Sequence, residues 1–333
     1  MRDIVFFIES KNYLAFSIPY LNILKKLNLN IEIYTLEDFS IPNFHDSNIK
    51  VFNSKNELNK NLLGLQCKNF FTTTPGIGNV YFPKSKVFPK NNRPKYFYFF
   101  HSLVSPNENY IENSFKGFDY ILSPNEIITN QLYFLIKEKK TFVHTVGYQY
   151  LNLGSKVINT DFKNVLLAPS WGINNLFSEF HRSNLNNLIE KLISNNLKVY
   201  VRPHPMDIEV LNILKNYENI ELYLKEKVNH ANFDFVITDW SGISLEYFYA
   251  RHKPVGFVNT EKKKRRKLGK NEMNIELIEN KIIEKIGPKI DLNQPDISNL
   301  LNFQYEKSDY IESLYLPRFD EENVKNLLSK LLQ

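Results

Sequence analysis

Three stretches of the chain put polar groups where an apolar run stops. "VRPHP" (201–205) sets Arg202 and His204 each directly before a proline. Proline fixes its own φ and pushes the preceding residue toward extended geometry, so both side chains are pre-set at one strand exit. The planar fork of Arg202 suits phosphate oxygens. The alternative is a rigid turn whose arginine pairs with a carboxylate. "FYFFHSLVS" (97–105) ends an aromatic run in His101. That histidine either caps a strand end or serves as a general base, because an imidazole near its ordinary pKa accepts a proton from an attacking hydroxyl. "VITDWSGISLEYFYARHKPVGF" (236–257) ends a strand in Asp239 and passes through Ser241-Gly242 into a helix carrying Ser244 and Glu246. Serine there is an ordinary cap, yet free N–H groups, a glycine and a hydroxyl also form an anion site.

The surrounding pattern predicts the elements that hold these stretches. "DIVFFI" (3–8), "IEIYT" (31–35), "KYFYFF" (95–100), "FDYIL" (118–122) and "TFVHTV" (141–146) read as strands. Helices are expected after Pro19, which suits a first turn, and at about 125–138. The region 54–94 reads as loops. Periodicity lapses from 150 to 162, and a second series follows: strands at 164–170, 197–202, 220–224, 233–239 and 254–258, with helices through 185–192, 208–214 and 242–251. Alternation at this pitch implies parallel sheets with crossover helices, here two Rossmann-like α/β domains facing across a cleft. Boundaries are expected at 1–155, 156–318 and 319–333, the last an amphipathic C-terminal helix able to cross back. In open parallel sheets ligands sit at the carboxyl ends of strands, which is where the three polar stretches fall.

Composition narrows the chemistry. A hydrophobic share of 43% and a charged share of 23% in 333 residues fit a globular chain with a large core. A formal charge of +6 permits anionic substrates or anionic lipid without requiring nucleic acid. Cys67 is the only cysteine, which leaves no intrachain disulfide and no cysteine-based zinc site and fits a reducing compartment. "MRD" leads straight into "IVFFI" without the pattern of a signal peptide, and no apolar run reaches the ~20 residues that span a bilayer. The expected location is cytoplasmic, with a peripheral role at the inner face of the membrane open through the basic run 262–267 in "EKKKRRKLGK". That run is otherwise a solvated loop.

In order, "FFHSL", "LLAPSW" (166–171), "VRPHP" and "ITDWSGISLEYFYARHKPVGF" resemble the CDP-glycerol glycerophosphotransferase (teichoic acid polymerase-like) family over about 95–260. Ser102 stands where that family has glycine, and Gly242 where it has a second serine. The resemblance implies a GT-B fold, an N-terminal acceptor domain, a C-terminal nucleotide-donor domain and no cofactor or metal. It implies transfer of a glycerol-phosphate-like or sugar group from a cytidine-nucleotide-activated donor, such as CDP-glycerol, to a glycan or polyol-phosphate acceptor of a surface polymer. By position, His101 is the candidate base. Arg202 and His204 contact the donor diphosphate, with His204 counted beside His101 as catalytic. Ser241, Gly242 and Ser244 do so at the helix start, Asp239 precedes them, Glu246 holds a ribose or glycerol hydroxyl, and Trp171 borders the nucleotide. A GT-B glycosyltransferase using a CMP- or NDP-sugar, a nucleotide-sugar epimerase and a non-catalytic nucleotide-binding protein are the competing readings.

Overall fold

Apolar runs without alternation become strands covered on both faces. A computed structural model describes residues 2–45, 48–76, 93–110, 113–136, 140–149, 164–172, 175–178, 181–204, 207, 210–215, 217–224, 228–260, 277–304 and 318–333. The first sheet contains β1 (Arg2–Ile8), β2 (Ile31–Thr35), β3 (Ile49–Val51), β4 (Cys67–Thr72), β5 (Lys95–Phe99), β6 (Tyr120–Ser123) and β7 (Phe142–Thr145). Their spatial order is β3-β2-β1-β4-β5-β6-β7. The second contains β8 (Asn164–Leu167), β9 (Lys198–Val201), β10 (Ile220–Leu222), β11 (Phe235–Thr238), β12 (Val255–Val258) and β13 (Lys289–Ile290), in the order β10-β9-β8-β11-β12-β13. Every pairing is parallel. Each sheet winds outward from an interior strand and then reverses, between β1 and β4 and between β8 and β11. Such a reversal opens a crevice at the strands' carboxyl ends.

Among the described residues the α-helices are α1 (Leu14–Lys26), α2 (Lys55–Leu63), α3 (Pro106–Asn109), α4 (Glu126–Leu135), α5 (Arg182–Ser194), α6 (Val210–Leu214), α7 (Ile243–Arg251), α8 (Ile278–Ile286), α9 (Ser298–Leu301) and α10 (Glu321–Leu331). The last crosses back as expected. Asp320 caps it by accepting from the N–H groups of Glu322 and Asn323. Val324 and Leu328 then join the core formed by α1 and β1, and Lys26 Nζ meets Glu321 Oε2 at 2.8 Å. The expected boundary at 155–156 and the basic run 262–267 lie outside the described residues.

The abundant aromatics have a structural use. Phe6, Phe71, Phe97, Tyr120 and Phe142 are paired in register across β1, β4, β5, β6 and β7. Their rings stack in sequence, with centroids 5.9, 4.4, 4.7 and 5.9 Å apart. In-register neighbours on parallel strands share a face about 4.8 Å apart, which suits offset stacking. The ladder links five of the seven strands of the first sheet through side-chain contacts.

Two expectations change. The region 54–94, read as loops, holds α2 and the central strand β4. Lys68 and Asn69 break the apolar run of β4, but exposed Lys68 pairs with Asp3 Oδ1 at 2.8 Å and buried Asn69 donates its amide N–H to Asp3 O at 3.2 Å. Pro19 lies inside α1 rather than in its first turn. Ser10 caps a preceding 3₁₀ turn (Lys11–Tyr13), and α1 follows that turn directly, so it starts before Pro19.

Truncating the middle of the ladder tests its weight. Phe97→Ala is expected to cost about 3–5 kcal/mol, read from denaturant unfolding. A loss below about 1 kcal/mol would contradict the packing described.

Candidate active site

At the reversal of the second sheet, the ends of β9, β8 and β11 lie side by side. Arg202 extends the ladder one residue past β9, its N–H donating to Leu167 O at 2.9 Å. It is half-buried at the carboxyl end of the sheet. The loop after β8 carries Trp171, whose ring lies 6.1 Å from that of His204 and is tilted by 34°. A second tie joins the same two loops, because Asn175 Nδ2 donates to Asp207 Oδ2 at 2.5 Å.

Asp239 is buried. Its carboxylate accepts from the backbone N–H groups of Ser170 (2.7 Å), Trp240 (2.6 Å) and Leu176 (3.3 Å). Burial raises its pKa, with these hydrogen bonds pulling the other way. Asp239 therefore shapes the crevice through the backbone it holds, by pinning the loop after β8 against the end of β11.

The start of α7 faces the other half of the molecule. Ser244 Oγ donates to Ser241 O at 2.9 Å and closes the first turn. Gly242 has ordinary helical dihedrals, φ −59° and ψ −16°. A Cβ on it would stand 3.4 Å from Val104 Cγ1 and 3.5 Å from Leu103 N, which is normal van der Waals contact. The first turn of α7 thus packs on the chain that immediately follows His101. One turn on, Tyr148 OH donates to Glu246 Oε1 at 2.8 Å, and both side chains are buried.

A reciprocal cap closes this junction. Ser105, the N-cap of α3, donates its N–H to Glu279 Oε1 (2.9 Å) and its hydroxyl to Glu279 Oε2 (2.6 Å). Ile278 N–H, at the start of α8, donates back to Ser105 Oγ at 2.9 Å. Each helix start supplies the other's missing partner, as in a capping box but across two domains. A small cavity at the junction is lined by Leu103, Asp239, Trp240, Ser241, Gly242 and Glu279, among others.

His101 lies two residues beyond β5. Its Nδ1 is 2.8 Å from Thr73 Oγ1. The ring is covered by Tyr13, edge-on at 4.7 Å, and by Phe16 at 6.2 Å. Burial pushes its pKa from the ordinary 6.5 down to about 4, and a hydrogen bond with the backbone of Thr73 offsets part of that. The imidazole is therefore neutral at neutral pH and keeps a lone pair.

The structure gathers Asp239, Ser241, Gly242 and Ser244 around one cavity with Leu103 of the His101 loop, ties Glu246 to Tyr148 after β7, and sets Trp171, Arg202 and His204 on the neighbouring strand ends. Sequence reasoning missed Thr73, Ser105, Tyr148 and Glu279. Ser105-Pro106 did carry a helix-start signature, but a partner in α8 has no sequence signal. Among the described residues, no group of three or more His, Cys, Asp or Glu is placed to hold a metal ion. Among the same residues, no helix is long and apolar enough to cross a membrane.

No family model matches the sequence, and the curated proteins give no significant match. Solved structures do resemble it. The UDP-GlcNAc 2-epimerase of Methanocaldococcus jannaschii, in complex with UDP-GlcNAc and UDP, aligns at TM-score 0.62 and 13% identity, over 98% of this chain and 99% of that one. A wall teichoic acid polymerase, TagF, aligns at TM-score 0.59 and 15% identity, over 99% of this chain and 89% of that one. Anabaena HepE, in complex with UDP and glucose, aligns at TM-score 0.53 and 11% identity, over 100% and 99%. These likenesses establish the fold as GT-B.

The depressed pKa of His101 has a measurable consequence. Between pH 6.5 and about 4 the unfolded chain binds this proton and the folded one does not. Stability should therefore fall as pH drops through that window, by up to about 3 kcal/mol for this group. A His101→Gln variant is expected to lose less over the same range. Parallel stability–pH curves for the two proteins would contradict the burial described.

Proposed function

We propose that this protein is a GT-B transferase that moves a group from a nucleotide-activated donor to an acceptor hydroxyl. The observation that carries the reading is the packing of Leu103 and Val104, just past His101, on the start of α7, which joins the loop bearing a neutral imidazole in one half to an anion-suited helix terminus of the other. The donor diphosphate sits at the ends of β9, β8 and β11, where Arg202, His204 and the N–H groups at the start of α7 meet its charge. Trp171 borders the nucleotide, and Glu246 orders the wall on the acceptor side through Tyr148. Asp239 acts through the loop it pins.

His101 takes the proton from the acceptor hydroxyl, whose oxygen forms the new bond as the bond to the leaving nucleotide breaks. The electron pair leaves on the nucleotide phosphate, where the cation and N–H groups stabilise it. The proton then passes to solvent. The donor's negative charge, once seated, favours imidazolium and so raises the basicity of His101 when it is needed.

The motif resemblance favours a cytidine nucleotide and a glycerol-phosphate-like cargo, in which case attack falls on the β-phosphorus and CMP leaves. With a CMP- or NDP-sugar, attack falls on the anomeric carbon. The likeness to UDP-GlcNAc 2-epimerase supports a second reading, nucleotide-sugar epimerisation. Turnover of a nucleotide sugar without any acceptor would favour it.

Two substitutions test the assignment once a thermal-shift screen of CDP, CMP, UDP and GDP has identified the nucleotide. His101→Ala should abolish transfer while leaving nucleotide affinity nearly intact. Equal loss of binding and turnover would remove its role as base. Arg202→Ala should weaken nucleotide binding by about 1.5–3 kcal/mol, and an unchanged Kd would contradict the phosphate contact.

A further inference from the structure

The end of β4 is a run of three threonines, Thr72-Thr73-Thr74, all buried. Each hydroxyl has a separate task. Thr72 Oγ1 accepts from Thr74 N–H at 2.9 Å, which fixes the turn leaving the strand. Thr74 Oγ1 donates to Glu9 Oε2 at 3.0 Å, tying that turn to the end of β1. Thr73 is left facing β5's exit, with Oγ1 2.8 Å from His101 Nδ1. The adjacent register Thr72↔Tyr98 holds the two strand ends level. Tyr13 and Phe16 cover the imidazole with aromatic surface, so its polar contact in this wall is Thr73.

A neutral imidazole has one N–H and one lone pair, and a hydrogen bond at one nitrogen decides which is which. If Thr73 donates to Nδ1, the proton sits on Nε2 and that atom is no base. If Nδ1–H donates to Thr73, the lone pair is on Nε2. A base that takes the acceptor proton at Nε2 requires the second arrangement, with the Thr73 hydroxyl accepting from Nδ1–H.

We propose that Thr73 is a positioning residue that holds His101 in the Nδ1–H tautomer and so places the lone pair on Nε2 for the acceptor hydroxyl. This rests on the reading of His101 as the base, but the tautomer is measurable without substrate.

The test is a long-range 1H–15N correlation spectrum of the full chain with 15N-labelled histidine at pH 7, His101 being assigned by the signals lost in His101→Gln. The wild-type protein is expected to show a protonated Nδ1 and an unprotonated Nε2. Thr73→Val should raise the Nε2–H population, and Thr73→Ser should restore the wild-type pattern. In turnover, Thr73→Val is expected to lower kcat on the order of 100-fold with donor KM nearly unchanged, with rescue by Thr73→Ser. An Nε2–H wild type would overturn the proposal, as would a Thr73→Val spectrum identical to wild type. Should Thr73→Val fail to fold, the wild-type spectrum and Thr73→Ser still decide. Retained transfer by His101→Ala would sink the base assignment alone and leave the tautomer result standing.

Discussion

A parallel sheet covered on both faces has no room for polar side chains along its length, because each unpaired polar group buried there costs roughly 1–3 kcal/mol. Val165, Leu166 and Leu167 of β8 are fully buried, as are Val236, Ile237 and Thr238 of β11. Even Thr238 is admitted only with its hydroxyl bonded to Ala168 O at 2.6 Å. Polar chemistry is thereby displaced to the first residues past each strand: Ser170 and Trp171 after β8, Arg202 and His204 after β9, Asp239 and Ser241 after β11. Because the chain reverses between β8 and β11, those ends border a crevice and not a closed surface. The first sheet follows the same pattern apart from buried Asn69 inside β4, with Glu9, Thr73 and His101 just past β1, β4 and β5.

Chemistry between two such edges depends on how the halves are held. Leu103 and Val104 lie against Gly242, Ser105 exchanges caps with Glu279, and Tyr148 bonds Glu246. All of these contacts fall within a few residues of groups assigned to binding or proton transfer. The same buried polar bonds that order the junction therefore fix the His101 loop relative to the start of α7. The Asp239 carboxylate holds the backbone of Ser170, Trp240 and Leu176.

The strands could be read from sequence wherever an unbroken apolar run announced burial on both faces, as in β1, β5 and β11. β4 is not legible because Lys68 and Asn69 interrupt its run; Lys68 faces solvent and pairs with Asp3, and the tertiary bond from buried Asn69 to Asp3 O has no local signal. The polar strand ends around Arg202, His101 and Ser241 were legible because rigid or small residues next to them are unusual after a buried strand. Their supports were not. Thr73, Tyr148 and Glu279 act through partners 28 to 174 residues away in the chain, and nothing local in the sequence marks such pairs.

The central claim is that the crevice between β8 and β11 receives the donor's phosphates, facing a base supplied by the other half. A crystal structure with bound CDP tests it most directly. Phosphate oxygens within hydrogen-bonding distance of Arg202 and of the N–H groups at the start of α7, with the cytosine beside Trp171, are the predicted result. A nucleotide seated in the crevice between β1 and β4, out of reach of Arg202, would contradict it.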